Sequence, residues 1–446
     1  MAEKKLTFVE RLSYGFGDLG TSLAYNMASA FLLFYYTDVV KLPAAAVGTV
    51  FLVARLLDAV IDMVVGVAVD KTRTRFGRTR PYFLFTAVPY AVVTVLLFNV
   101  PAWGQTAQLI YAFLTFKALG ILMSLQAIPY TALMPMMTED TGDRLKLSGM
   151  RSVGTSVSVV LGTAATMPLV GLFGGGDQQR GFLSVAALFA VIGLICTFAL
   201  FRNCRERYED EGSPKFAIWP AVKDMLRNRA WLVCFGFCLT YFMRFGVMMS
   251  STPYFAIEVL HRPWMIAVML PAVSGMLLLS SFVAPPLYAR FGIRRGCIGV
   301  LTLATALFAI LPFTENSVPA FLAVYLAACL STSVTIVAAF TMIAETVDYH
   351  DWRFGVRHEG LLSSGVSLAT KVGMAVGTAG FAYALGQAGY SAGAVTDAAR
   401  DTIRWSYYGS AVVLLSLQVL VVIFWPMDRM HDRIREDIAQ RLAPAG

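Results

Sequence analysis

Apolar runs of about 20 residues follow one another along the chain, separated by short polar stretches rich in Arg, Lys, Gly and Pro. Each run is long enough to cross a hydrocarbon core of about 30 Å as a helix. Twelve such spans fall at 16–37, 44–69, 82–100, 107–136, 149–171, 181–201, 231–257, 264–288, 296–313, 318–345, 361–388 and 404–425. The first 11 residues are polar and lead into no cleavage pattern, so the first run reads as a span rather than a removable leader. The pattern predicts an all-α membrane protein.

Composition agrees. Of 446 residues, 57% are hydrophobic and 14% charged, against about 25% charged in soluble domains. The net charge of +8 is distributed as topology. Lys71, Arg73, Arg75, Arg78 and Arg80 follow the second span, the segment 202–229 carries seven further Lys and Arg, and Arg290, Arg294 and Arg295 follow the eighth. The alternate loops hold only Lys41, Arg180, Arg262, Arg400 and Arg404. Basic residues collect on the cytoplasmic side, which places both termini and the central segment there and removes any need for a nucleic-acid partner. Six cysteines without a CxxC pair and four scattered histidines indicate neither a disulfide framework nor a zinc site. No cofactor is expected.

The chain also repeats itself. At an offset of 215 residues, TRFGRTR (74–80) meets ARFGIRR (289–295), and Leu147, Ser148, Ser152, Val157 and Gly162-Thr163-Ala164 meet Leu362, Ser363, Ser367, Val372 and Gly377-Thr378-Ala379. One offset serving two separate regions implies parallel repeats of six helices, the plan of a transporter that rocks around a midplane site. The expected organisation is an N-terminal bundle at 1–201, a linker at 202–229 with a short amphipathic stretch, a C-terminal bundle at 230–425 and a polar tail at 426–446.

Charges inside the second span are the strongest chemical signal. VARLLDAVID (53–62) places Arg55, Asp58 and Asp62 at i, i+3 and i+7, on one helix face. A charge at a helix centre costs about 2.5–3.5 kcal/mol on insertion scales, so that face turns inward. Two carboxylates one turn apart require a cation, a proton or a basic neighbour. The alternative is a static ion-pair network with Arg55. Lys371, in the middle of the eleventh span, is the expected partner across the two halves. Ser22, Tyr25 and Asn26 in the first span, Ser124 and Gln126 in the fourth, and Arg151 at the start of the fifth are further polar groups. Lys117 and Arg244 are ambiguous, and Asp18, at the cytoplasmic start of the first span, reads as a cap or a local pair.

The segments LSYGFGDLGTSL, FLLFYYTDVV, FLVARLLDAVIDMVVG, RTRFGRTRPY, IPYTALMP and DYHDWRFGVRHEGLLSSG are spread over nearly the whole chain. In them the chain resembles the glycoside–pentoside–hexuronide:cation symporters, the melibiose permease-like branch of the major facilitator superfamily. The resemblance implies a fold of 12 transmembrane helices in two six-helix bundles related by pseudo-two-fold symmetry. It puts Asp58 and Asp62 on the cation-site aspartates, Ser124 on a hydroxyl ligand, Lys371 on the coupling lysine and Arg151 on a sugar-site arginine. It departs from melibiose permease at Ser22 and Ala127, where that carrier has its two sugar aspartates, at Thr131 in place of its stacking tryptophan, and at Ile61 in place of an asparagine between the acids. These changes argue against a galactoside and tilt the coupling ion from Na⁺ toward H⁺.

The resulting expectation is symport of a sugar or glycoside with H⁺ or Na⁺ by a monomer in the cell membrane, the inner one if bacterial. Ser22, Tyr25, Asn26, Gln126, Arg151, Tyr130 and Thr131 would bind substrate, and Asp70, Arg75, Arg78, Asp351 and Arg357 would form gating salt bridges. The alternative cargo is a non-sugar substrate, either lipid-like or an organic anion suited to Arg151, Lys117 and Arg244. An enzyme or a sensor is disfavoured, because the loops hold neither a nucleophile with its base nor a signalling domain.

Overall fold

The computed structural model describes residues 6–138, 140–208, 218–356, 359–428, 430 and 437, and among these it contains helices and no strand. The helices are α1 (Phe8–Phe34), α2 (Ala44–Lys71), α3 (Arg80–Leu97), α4 (Gln105–Met137), α5 (Thr141–Val160), α6 (Thr166–Gly174), α7 (Gln178–Asn203), α8 (Ile218–Arg227), α9 (Arg229–Tyr254), α10 (Ile266–Gly275), α11 (Leu277–Ile310), α12 (Val318–Phe354), α13 (Glu359–Gln387) and α14 (Asp397–Ile423). Among the described residues nine segments are long and apolar enough to cross a membrane. The further expected spans fall on α1, on α2 and on α10 with the first part of α11. Gly292, at φ 74°, interrupts α11 between two helical stretches. The amphipathic part of the linker is α8.

The first helix begins well before the apolar run. Thr7 and Glu10 form a reciprocal cap, the Glu10 N–H donating to Thr7 Oγ1 at 3.3 Å and the Thr7 N–H to Glu10 Oε2 at 2.8 Å. Part of the polar N-terminus is therefore the first turns of α1. Asp18, expected as a cap at a helix start, instead lies inside the helix and is buried.

The chain gathers into two compact units. The first comprises 1–213 with 252–271 and 382–400, and the second 214–251, 272–381 and 401–446. In the first unit α1 packs on α5 and α7, α2 on α4, and α3 on both α4 and α7. The segments 252–271 and 382–400 join it through hydroxyl groups: Thr37 Oγ1 lies 2.6 Å from the Tyr254 hydroxyl, and Tyr390 donates to Asp38 at 2.7 Å. In the second unit α11 packs on α12.

Glycine permits the closest approaches. A methyl group at Gly154 of α5 would overlap the carbonyl oxygen of Gly15 in α1, and one at Gly162 would lie 2.8 Å from Asn26 Cβ. In the second unit a methyl at Gly377 of α13 would overlap the carbonyl oxygen of Met243 in α9, and one at Gly246 would lie 2.5 Å from the Met374 carbonyl oxygen. Small residues at such crossings let backbones meet where lipid offers no hydrophobic driving force. Gly162 and Gly377 are the pair related by the 215-residue offset.

The basic loops repeat in the same way. Gly77 (φ 105°) and Gly292 (φ 74°), again 215 apart, adopt the left-handed backbone region. Each faces a carboxylate: a side chain at Gly77 would meet Glu206, and one at Gly292 would meet Asp428. Glu206 also accepts hydrogen bonds from the N–H groups of Arg78 at 2.8 Å and Thr79 at 2.7 Å, at the amino end of α3, where negative charge is favoured by the helix dipole.

These contacts predict that Gly154→Leu lowers the thermal midpoint of the purified protein, with overpacking of about 1–3 kcal/mol or more. Gly149→Ala, in the same helix with open space around it, is expected to leave the midpoint unchanged or slightly raised. Equal losses from both substitutions, read by a melting curve in detergent, would remove the packing explanation.

Candidate functional site

The acids of α2 are satisfied by α4. Lys117 Nζ donates to Asp58 Oδ1 at 2.5 Å and to the Ala54 carbonyl oxygen at 3.2 Å. The two charged side chains are only 11% and 8% exposed. Ser124 Oγ donates to Asp62 Oδ1 at 2.5 Å, and Asp62 is half-buried. Between the two contacts sits Gly120, where an added methyl would lie 2.7 Å from Asp58 Oδ1. Lys117, Gly120 and Ser124 are spaced i, i+3 and i+7, so one face of α4 matches the face of α2 that carries the acids.

This arrangement replaces the alternative of an ion-pair network with Arg55 and gives Asp58 a basic partner that the sequence left ambiguous. Arg55 makes no ion pair among the described residues; its guanidinium lies over the rings of Tyr25 at 4.9 Å and Phe116 at 5.2 Å. The basic partner of Asp58 is Lys117, from the neighbouring helix of the same unit. Lys371 lies on α13 in the second unit, half-buried.

A second cluster forms around Asp18. Arg151 Nε lies 3.3 Å from Asp18 Oδ1, Thr155 Oγ1 donates to Asp18 Oδ2 at 2.5 Å, and Ser22 Oγ reaches Oδ2 at 3.5 Å. The Arg151 guanidinium sits 5.1 Å over the ring of Tyr130, which stacks on Tyr14 at 4.6 Å. Ser22, Tyr130 and Arg151 are thus brought together, and Asp18, one turn before Ser22, supplies the carboxylate that Ser22 lacks. A planar guanidinium held from one side by an acid and below by an aromatic face keeps further N–H groups for a polyol.

Other expected substrate residues face helix seams. Asn26 Nδ2 donates to Ser158 Oγ at 2.9 Å, tying α1 to α5. Gln126 is fully buried and accepts from Thr21 Oγ1 at 3.3 Å, tying α4 to α1. Thr131 is exposed, its hydroxyl donating back to the Ile128 carbonyl at 2.8 Å. Tyr25 lies under Arg55.

Of the gating set, Arg78 Nε donates to the Val69 carbonyl at 3.2 Å, and Arg75 is exposed with its guanidinium over the neighbouring Phe76 ring. The acid that meets this loop is Glu206. Asp351 is half-buried near the end of α12; the Asp70 side chain and Arg357 lie outside the described residues. Nearby, at the amino end of α5, burial would raise the pKa of Asp143. The Leu6 N–H, Lys146 and Arg11 outweigh it and hold the carboxyl below its ordinary value.

Residues 13–429 match the family model described as MFS/sugar transport protein. The chain belongs to that family. The isoprimeverose transporter of Lactiplantibacillus pentosus is 32% identical over 441 residues, covering 97% of this chain and 92% of that protein. The inner membrane symporter YicJ of Escherichia coli (strain K12) is 30% identical over 402 residues, covering 88% of this chain and 85% of the relative. Among solved structures, a bacterial homologue of the human lysosomal transporter Spinster, inward-facing and unoccupied, aligns with a TM-score of 0.69 at 13% identity over 98% of both chains. The chain is thus a multi-pass membrane protein with the major facilitator fold, a member of the glycoside–pentoside–hexuronide:cation symporters and not an enzyme.

The Asp58–Lys117 pair makes a stability prediction. Asp58→Asn strands a buried ammonium at an expected cost of about 3–5 kcal/mol, whereas Asp58→Asn combined with Lys117→Met removes both charges and recovers most of that loss. Melting curves of the single and double variants measure it; a double variant less stable than Asp58→Asn would show that the pair is not coupled.

Proposed function

We propose that the protein is a cation-coupled symporter of a sugar or glycoside, with H⁺ or Na⁺ as the coupling ion and alternating access as its mechanism. The observation that carries this reading is the α2 acid pair, Asp58 buried and Asp62 half-buried near the middle of a long helix, engaged by Lys117 and Ser124 of α4. Intramembrane acids of this kind mark ion pathways. The names of the relatives, an isoprimeverose transporter and an inner membrane symporter, support the same class.

Arg151, Asp18, Ser22 and Tyr130 form the sugar-binding cluster in this reading, since an arginine–carboxylate pair over an aromatic ring offers both donors and acceptors to hydroxyl groups. Lys371 is the coupling residue contributed by the second unit. The basic loops point to the cytoplasmic face of a bacterial inner membrane, with both termini on that side. An anionic cargo held by Arg151 and Lys117 is disfavoured by their pairing with Asp18 and Asp58; Arg244, the third cation of that alternative, is buried in α9 against Tyr241 and Met248.

Reconstituted protein tests the reading. An imposed H⁺ or Na⁺ gradient is expected to drive accumulation of isoprimeverose or another small glycoside into proteoliposomes; no gradient-driven uptake across a panel of such sugars would overturn it. In the transporting protein Asp62→Asn is expected to abolish uphill accumulation while sugar exchange persists. Uphill uptake undiminished in that variant would free Asp62 of the coupling role. Arg151→Ala is expected to weaken sugar binding by about 10- to 100-fold, the equivalent of about 1.5–3 kcal/mol for a charged hydrogen bond. Titration calorimetry with the transported sugar checks this, and unchanged affinity would exclude the cluster.

A further inference from the structure

We propose that Lys117 is a built-in cation of the coupling site: its ammonium fills the Asp58 half of the acid pair, excludes Na⁺ and Li⁺ from it, and leaves a proton on Asp62 as the ion that is exchanged. The inference rests on the reading of the α2 acids as the coupling site and deepens it.

The geometry leads there in three steps. First, two carboxylates one turn apart in a membrane helix need positive charge between or beside them, and here one unit of it is covalently attached to α4. Lys117 Nζ is 2.5 Å from Asp58 Oδ1 and 3.2 Å from the Ala54 carbonyl oxygen. An alkali ion would have to use these same two oxygens, with the same single charge. Second, the pair is closed. Both side chains are about nine-tenths buried, and Gly120 presses the α4 backbone against the carboxylate, so a metal ion cannot enter without displacing the ammonium into an apolar surrounding. Third, Asp62, met by the Ser124 hydroxyl at 2.5 Å, is the half-buried acid of the pair and the one that Lys117 does not hold, and the residue before it, Ile61, is apolar. A proton needs only a carboxylate oxygen: it binds Asp62 from water on one side and returns to water on the other.

The charged and titratable groups around the site are consistent with this division. Arg55 on α2 is drawn off to Tyr25 of α1 and Phe116 of α4, and Tyr36, in the π-helical turn after α1, packs on Phe51, two turns before Asp58. Lys117 is the cation bonded to Asp58.

The test is carried out on the full-length protein in detergent, with ²²Na⁺ binding and melting curves in NaCl, LiCl or choline chloride at matched ionic strength. Wild type is expected to show no saturable Na⁺ binding and no Na⁺- or Li⁺-specific rise in melting temperature. Lys117→Gln and Lys117→Met are expected to gain both, and adding Asp58→Asn to either is expected to remove them. Saturable Na⁺ binding by wild type, or a folded Lys117 variant with none, overturns the proposal. If the Lys117 variants do not fold, Lys117→Met with Asp58→Asn shows whether the stranded carboxylate is the cause, and the wild-type measurement decides alone. Failure of the symport reading is a different result: Na⁺ binds to Lys117→Gln, yet no gradient drives sugar uptake in wild type.

Discussion

A carboxylate in the middle of a membrane helix must be neutralised by something, and much of the first unit is arranged around how that is done. Asp58 is met by the ammonium of Lys117, and Asp62 by the hydroxyl of Ser124. Both partners come from one face of α4. A lone charge there would be costly, so the two helices are held in register by electrostatics as well as by packing. Gly120 makes the fit possible: any side chain at that position would occupy the space of the Asp58 carboxylate. The spacing of Lys117, Gly120 and Ser124 is therefore the complement of the spacing of Asp58 and Asp62.

The repeat shows which features belong to the scaffold and which to the chemistry. Gly77 and Gly292 make the same left-handed turn against an acid, and Gly162 and Gly377 make the same close helix crossing. The segments Tyr35–Val39 and Phe255–Val259 both end in a π-helical turn followed by a residue with positive φ, Lys41 and His261. The charged groups within the spans do not repeat. At the 215-residue offset Asp58 corresponds to Val273, Asp62 to Leu277, Arg151 to Val366, and Lys371 to Ser156. Backbone devices are thus kept in both copies, while membrane-buried charge is confined to one copy at each position.

Much of this was legible in the sequence, for reasons that also explain what was not. Hydrophobic length marks spans, and helical periodicity puts Asp58 and Asp62 on one face, because both are properties of a single segment. Which neighbouring helix meets that face is a property of packing. The sequence therefore points to Lys371 as the partner and leaves Lys117 ambiguous, whereas α2 seen against α4 has Asp58 held by Lys117. Asp18 was misplaced because the apolar run starts near residue 16, whereas the helix starts at a Thr7–Glu10 cap inside the polar segment. Asn26 and Gln126 read either as substrate ligands or as hydrogen bonds between helices, because polar side chains in an apolar helix need partners; Ser158 and Thr21 in adjacent helices meet them. Glu206 sat in a charged linker where composition shows only topology, and its hydrogen bonds to the loop at Arg78 and Thr79 depend on a turn set by Gly77.

The two clusters share a helix, and this bears on how a change at one is felt at the other. Ser124, which donates to Asp62, and Tyr130, which lies under Arg151, are less than two turns apart on α4. Gln126, fully buried between them, fixes that stretch to Thr21 of α1, the helix that carries Asp18 and Ser22. Pro129 removes one backbone hydrogen bond from the same stretch, so α4 can bend there without breaking its outer turns. A change in the charge of Asp62 alters the hydrogen bond that Ser124 makes, and the nearest element able to respond is the short segment of α4 that ends under Arg151. No long relay is required: the Asp58–Lys117 pair, which is buried, and the Arg151–Asp18 pair, whose arginine is partly exposed, are reached from adjacent stations on one helix, with the bendable turn between them.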